Sequence, residues 1–186
     1  MSLRLAHTIE RSLANGPGER FVIWVQGCPI HCPGCWNKGT WNYQDGYNQD
    51  LVELTDKILN TKGIEGVTFT GGEPMVQASA LLRVAEICKI NSLSVFIFTG
   101  YDFDQLKQPE QLALWNAADI VVAGPYIESK RSFSNAWVGS ENQIVHFNSD
   151  RYTPTDQLNA VRAEAHISKD GSVTWTGFPE GLTDLS

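Results

Sequence analysis

The chain has 186 residues, 14 Lys or Arg against 21 Asp or Glu, a net charge of −7 and 42% hydrophobic residues. Its length suits one domain and falls short of the ~250 residues of a complete (β/α)8 barrel. The acidic balance argues against nucleic acid and anionic membranes as partners, and no apolar run approaches the ~20 residues of a membrane-crossing helix.

From Met1 to Gly16 no apolar signal-peptide core forms, because Arg4, His7, Glu10 and Arg11 interrupt it, so the expected compartment is the cytoplasm. The turn Asn15-Gly-Pro-Gly18 leads into Phe21–Val25, a continuous apolar run that reads as a buried strand. The next loop carries Cys28, Cys32 and Cys35. Leu51, Leu54, Ile58 and Leu59 then recur with helical spacing, predicting a helix from Gln49 to Leu59. Strands are predicted over 66–70, ending in Gly71-Gly72, over 94–99, ending at Gly100, and over 119–123, ending at Gly124-Pro125. Between them lie a helix over 78–89 and a second over 103–117 that Pro109 interrupts. Cys88 falls on the apolar spacing of the first of these and reads as a small core residue. Residues 143–147 form a further strand, and 161–168 and 172–176 flank the hairpin turn Lys169-Asp170-Gly171. Apolar strands alternating with helices predict an α/β fold with a mainly parallel sheet covered on both sides. The expected division is a core domain over 1–149 and a C-terminal β-rich extension over 150–186, packed on the same domain.

In such sheets ligands bind beyond the carboxyl ends of the strands. The four strands end in Gln26–Cys35, Gly71-Gly-Glu-Pro74, Gly100-Tyr-Asp102 and Gly124-Pro-Tyr126, so four polar or glycine-rich loops share one edge. In a reducing compartment, clustered cysteines are metal ligands or catalysts rather than staples. The spacing C-x3-C-x2-C supplies three soft thiolates, enough for three irons of a cubane cluster with the fourth left open. A zinc site completed by His31 or Cys88, and a redox thiol pair at Cys32 and Cys35, are the alternatives.

Cys28, Cys32 and Cys35 after the first predicted strand, with Gly71-Gly72-Glu73-Pro74 after the second, resemble the radical S-adenosylmethionine superfamily. The stretches Cys35-Trp-Asn-Lys-Gly-Thr-Trp41, Phe98-Thr-Gly-Tyr101 and Trp137-Val-Gly-Ser-Glu-Asn-Gln143 resemble the activases of anaerobic ribonucleotide reductase and, more distantly, of pyruvate formate-lyase. The resemblance implies a partial barrel, open on one side, and a [4Fe-4S] cluster held by the three cysteines. It implies S-adenosylmethionine bound with the help of Gly71, Gly72, Glu73 and Pro74. It also implies reductive cleavage to a 5′-deoxyadenosyl radical that abstracts hydrogen from a protein or peptide, with an external one-electron donor such as flavodoxin or ferredoxin. Gly34 stands where much of the superfamily has an aromatic residue, and Trp36 is a candidate to cover the cluster or the adenine.

Other polar residues carry weaker signals. Tyr101, Asp102 and Tyr126 end strands on the active edge. Lys38 is a candidate to dock an acidic electron donor. His31 reads as solvent-facing or as a neighbour of the ligands, and His146 and His166 as structural. An open flank suits an inserted protein loop, which leaves two enzyme readings: a glycyl-radical activase, and a maturase of a ribosomally made peptide working with a partner subunit. The C-terminal hairpin offers a strand edge on which a peptide or partner could dock. An iron–sulfur electron carrier or a zinc-binding protein is the reading of another class.

Overall fold

The computed structural model of the chain describes residues 1–158, 160–167 and 170–178. In chain order the elements are β1 (Ser2–Ser12), β2 (Arg20–Val25), β3 (Tyr47–Asp50), α1 (Leu51–Asn60), β4 (Gly66–Gly71), α2 (Ala78–Ile90), β5 (Ser94–Thr99), α3 (Pro109–Ala117), β6 (Ile120–Ala123), β7 (Ile144–Phe147), β8 (Ala163–Ile167) and β9 (Val173–Gly177). Seven strands form one open sheet in the order β3-β1-β2-β4-β5-β6-β7. The central four, β2, β4, β5 and β6, are parallel, and β1, β3 and β7 join antiparallel at the flanks. The result is the open, mainly parallel α/β arrangement that the strand pattern predicts.

The parallel strands are buried because both faces are covered, by different means. Phe21, Ile23, Val25, Val67, Phe69, Val95 and Ile97 face the side on which α1, α2 and α3 pack. The opposite face carries Phe96, Ile120 and Val122 under Trp137, Val138 and Tyr152, which come from loops. Arg20 lies fully buried on this inner face. Its five N–H groups go to Thr68 Oγ1, Pro17 O, Ser94 Oγ, Val67 O and Ser94 O at 2.7–3.2 Å. A buried guanidinium is tolerable only when every donor is used. Here it ties β2, β4 and β5 together at their amino-terminal ends, away from the edge where the loops gather.

Two strands are absent from the sequence reading. β1 buries Leu3 and Leu5, but irregularities between Leu5 and His7 and between Ile9 and Ser12 break its two-residue period. β3 is polar and sits at the edge of the sheet, so it gives no apolar signal. Pro109 starts a helix instead of interrupting one. Phe103–Gln105 is a single 3-10 turn, and α3 begins at Pro109, where a missing N–H costs nothing.

β8 and β9 form a separate antiparallel pair, Ala163 opposite Gly177 through Ile167 opposite Val173. Asp170 and Gly171 of the predicted turn are described; Ser168 and Lys169 lie outside the described residues, as do Pro179 and the rest of the predicted extension to residue 186. Among the described residues no helix is long and apolar enough to cross a membrane.

Candidate radical-chemistry site

Parallel strands place their following loops on one edge, and these loops enclose a cleft of about 430 Å3. Cys28, Cys32 and Cys35 line it together with Gly71, Gly72, Glu73, Gly100, Gly124 and Tyr126. The cysteine loop is fixed at both ends by backbone bonds: Gly27 N–H to Thr40 O (2.8 Å), Cys28 N–H to Trp41 O (3.1 Å) and Cys35 N–H to Cys32 O (3.1 Å). All four cysteines are free thiols.

The environment of the three sulfurs suits iron–sulfur ligation. Burial pushes the Cys28 thiol up, while backbone N–H groups of Ile30 and His31 aimed at the sulfur work against that. Cys32 is likewise raised by burial, with a backbone N–H of Tyr126 opposing. Cys35 Sγ accepts from Asn37 N–H at 3.3 Å. N–H groups directed at sulfur stabilise the thiolate and tune a bound cluster. Among the described residues no three His, Cys, Asp or Glu side chains are grouped to hold one metal ion. A cubane makes no such demand, since each thiolate binds a different iron. The three cysteines therefore fit a [4Fe-4S] cluster.

Gly71 and Gly72 serve the approach of two loops. Gly71 has φ +97°, a conformation that favours glycine. Gly72 N–H donates to Val25 O (2.8 Å) and Glu73 N–H to Gly27 O (2.9 Å), so the glycine-rich loop is bonded to the strand end and to the residue before Cys28. Pro74 is buried and opens the short 3-10 turn Pro74–Gln77.

Glu73 is 1% exposed. Its carboxylate accepts from Met75 N–H (2.9 Å), Thr99 Oγ1 (2.7 Å) and Gly100 N–H (2.8 Å), joining the loops after β4 and β5. Burial outweighs these three donors and raises its pKa to about 7. A carboxyl of pKa near 4.5 unfolded and about 7 folded favours folding below pH 4.5, and that contribution is lost as pH rises through 7. Glu73 alone therefore removes up to about 3 kcal/mol of the iron-free protein's stability between pH 4.5 and 7.5, opposed in that window by His7, whose pKa burial lowers. Glu73→Gln should flatten that slope in thermal unfolding across pH; an unchanged slope would assign the titration elsewhere.

Trp36 points its ring at the edge of Phe178, centroids 6.3 Å apart, and Arg131 stacks its guanidinium 4.5 Å from the Trp36 ring. Phe178 also meets Phe98 edge-on at 6.4 Å. Trp36, Phe98 and Phe178 thus form an aromatic wall of the cleft. Gly34, at φ +74°, lies against the carboxylate of Glu128. Tyr126 lines the cleft, whereas Tyr101 packs against the main core and Asp102 caps the turn at Phe103. His31 is exposed and stacks on Trp41 at 4.7 Å; His146 packs edge-on against Trp115 at 5.1 Å; His166 lies 3.6 Å from Glu164. Lys38 is exposed beside the cysteine loop. Cys88 is fully buried in α2, its thiol pushed up to about 12 by burial, and it is remote from the cleft.

The sequence reading missed Thr99, Phe98, Trp24, Asn15 and Phe178. Thr99 and Phe98 stand in a noted segment, and the strand-end rule could have flagged Thr99. Asn15 and Phe178 meet the site only through tertiary packing.

Residues 14–146 match the family described as 4Fe-4S single cluster domain. The anaerobic ribonucleoside-triphosphate reductase-activating protein of Salmonella typhi is 32% identical over 143 residues, 72% of this chain and 92% of its own length. That of Enterobacteria phage T4 is 33% identical, covering 73% and 88%. The pyruvate formate-lyase-activating enzyme of Clostridium pasteurianum is 36% identical over 109 residues, 55% of this chain and 46% of its own length.

Proposed function

The chain belongs to the 4Fe-4S single cluster domain family and is a radical S-adenosylmethionine enzyme with a [4Fe-4S] cluster, and on that premise we propose that it is an activase that removes a hydrogen atom from a glycine of a large partner enzyme. The observation that carries this reading is the meeting of the Cys28–Cys35 loop and the Gly71–Pro74 loop at one rim of a single cleft. The names of the relatives above point to the anaerobic ribonucleotide reductase as that partner. Nothing in the comparisons supports the peptide-maturase alternative.

Cys28, Cys32 and Cys35 would each hold one iron of the cluster. Gly71 and Gly72 bring backbone close to the amino-acid end of S-adenosylmethionine, and the Glu73 carboxylate and Pro74 fix the loop in that place. Trp36, braced by Arg131, covers the cluster or the adenine, and the Trp36–Phe98–Phe178 wall keeps water from the reacting atoms. When bound, the reduced cluster and S-adenosylmethionine supply a primary carbon radical. Hydrogen-atom transfer to such a radical needs no general base, which fits the absence of a His–carboxylate pair among the described cleft residues. Lys38, exposed beside the cysteine loop, is the proposed contact for an acidic external electron donor such as a flavodoxin or ferredoxin. In this reading the core over 1–149 carries the chemistry, and residues 173–178 of the extension line the same cleft.

The test is anaerobic reconstitution with iron and sulfide, then S-adenosylmethionine, a strong one-electron reductant and the anaerobic ribonucleotide reductase of the same genome. The expected results are 5′-deoxyadenosine and a glycyl-radical doublet in the electron paramagnetic resonance spectrum of the reductase. 5′-Deoxyadenosine with no radical on the reductase would reject the activase reading and leave the radical chemistry standing.

A further inference from the structure

Among the described residues β8 and β9 pair only with each other, so each has one edge with no strand partner among them. Val173 to Phe178 all line the cleft and no residue of β8 does, so the unpaired edge of β9 borders the cleft. The phase of that edge is fixed. Phe178 N–H donates to Arg162 O at 2.7 Å, and the regular register continues from Gly177 opposite Ala163. In an antiparallel ladder the bonding direction alternates residue by residue. Thr174 and Thr176 therefore turn their main-chain groups to β8, and Val173 and Trp175 turn theirs away. Among the described residues no backbone partner takes up the Val173 or Trp175 N–H.

The faces of this hairpin are inverted for a surface element. The polar face lies inward: Glu164 accepts from Leu13 N–H at 3.0 Å, and Thr176, 4% exposed, accepts from Asn15 Nδ2 at 2.7 Å. The apolar face lies outward, with Ile167 75%, Val173 50% and Trp175 42% exposed. Folding alone favours the reverse, so an exposed apolar patch of this kind marks an interaction surface. The edge is also unguarded. Natural edge strands are blunted by charge, proline or bulges, and Val173-Thr-Trp-Thr176 has none.

We infer that β9 is a docking strand for the protein substrate, taking up an extended segment of it by strand addition along the cleft, with Val173, Trp175 and Ile167 covering apolar residues that flank that segment. The occupant is a polypeptide because what is offered is a row of main-chain donors and acceptors, and these confer affinity for another backbone. It is the substrate because the edge runs into the same cleft as Cys28, Cys32 and Cys35. The segment 163–177 also lies beyond the 14–146 stretch that matches the family, so it is a feature added to the shared core.

This inference rests on the activase reading, and the experiment separates the two. Amide hydrogen exchange is followed in the full-length, iron-loaded protein with and without the anaerobic ribonucleotide reductase, alongside glycyl-radical formation on the reductase. Exchange at Val173 and Trp175 is expected to slow on adding reductase. Trp175→Pro, which removes an N–H that β8 does not use, is expected to weaken binding roughly tenfold or more, the size of an interface hot spot. Trp175→Val, which keeps that N–H and introduces a β-branched side chain suited to a strand, should bind more tightly than the proline variant. Protection at Thr174 and Thr176 reports that the variant hairpin is intact; if it is lost, the exchange of the unmodified protein decides. A glycyl radical formed with 173–177 exchanging unchanged would overturn the docking strand and spare the activase reading. Protection without a radical would do the opposite. Protection that grows with protein concentration in the absence of reductase would overturn the inference in favour of a second copy of this chain.

Discussion

Alanine at Cys28, Cys32 or Cys35 is expected to abolish both the visible iron–sulfur absorbance and the formation of 5′-deoxyadenosine, whereas Cys88→Ala should leave both in place. On the proposed assignment each of the three thiols would be the side-chain donor for one iron, so removing any one would leave that iron without its thiolate. The loss should be chemical and not structural. The cysteine loop is held by backbone bonds from Gly27, Cys28 and Cys35, none of which uses a thiol. Cys32 and Cys35 are only half-buried, so truncation there opens little cavity. Thermal unfolding of the iron-free Cys32 variant should stay within about 0.5 kcal/mol of the unmodified protein, as for surface substitutions, whereas Cys35→Ala should cost on the order of 1 kcal/mol because Asn37 N–H loses its bond to Sγ. Cys88→Ala behaves the other way, with a cost on the order of 1 kcal/mol from the fully buried site and no effect on iron content. A Cys35→Ala protein that still yields 5′-deoxyadenosine would remove the ligand assignment. Retention of zinc by that variant after reconstitution would revive His31 as a metal ligand.

How far the fold could be read in advance depended on whether burial left a periodic trace. β2, β4, β5 and β6 are buried on both faces, and Phe21–Val25 or Ile120–Ala123 shows that as an unbroken apolar run. β1 hides its two buried leucines among Arg4, His7 and Glu10, and its bulges shift the phase before a pattern can build up. The site divides in the same way. Cys28, Cys32 and Cys35 are close in sequence because one short loop must wrap a cluster, and the glycine pair is visible for the same local reason. Glu73 was visible as a residue, but its inward course to Thr99 and Gly100 depends on the neighbouring parallel strand. The bracing of Trp36 by Arg131, and the arrival of Phe178 against Phe98, come from packing across the inner face and leave no local signal. The hairpin was legible as a hairpin from Lys169-Asp170-Gly171, yet its polar-inward, apolar-outward placement was not. Alternation gives two faces and does not say which one meets the protein.

Gly72→Ala is expected to destabilise the iron-free protein by roughly 2–4 kcal/mol, combining overpacking with lost backbone hydrogen bonds, and to weaken S-adenosylmethionine binding along with it. A methyl group at this position would overlap the Gly27 carbonyl oxygen, stand 2.9 Å from its carbon and 3.0 Å from Val25 O. All three obstacles are backbone, so no side chain can rotate away to relieve them. Relief requires the two loops to separate, which breaks the Gly72 N–H bond to Val25 O and the Glu73 N–H bond to Gly27 O. Each loss leaves a main-chain group without its partner next to a buried carboxyl. For a chain of this size the stability cost corresponds to roughly 5–10 °C in Tm. Gly39→Ala is the matched control, since nothing stands within 4 Å of a methyl group there, and it should change Tm little. The functional part of the effect follows from the same displacement. Gly27 precedes Cys28, so moving the glycine-rich loop away from it changes the distance between the iron ligands and the loop assigned to the methionine end of the cofactor. Iron content should therefore survive better than S-adenosylmethionine affinity, read as the concentration dependence of 5′-deoxyadenosine formation. Equal loss of both would place the damage in the cysteine loop itself. A Gly72→Ala protein with unaltered Tm and affinity would show that the two loops are not locked as the backbone bonds indicate.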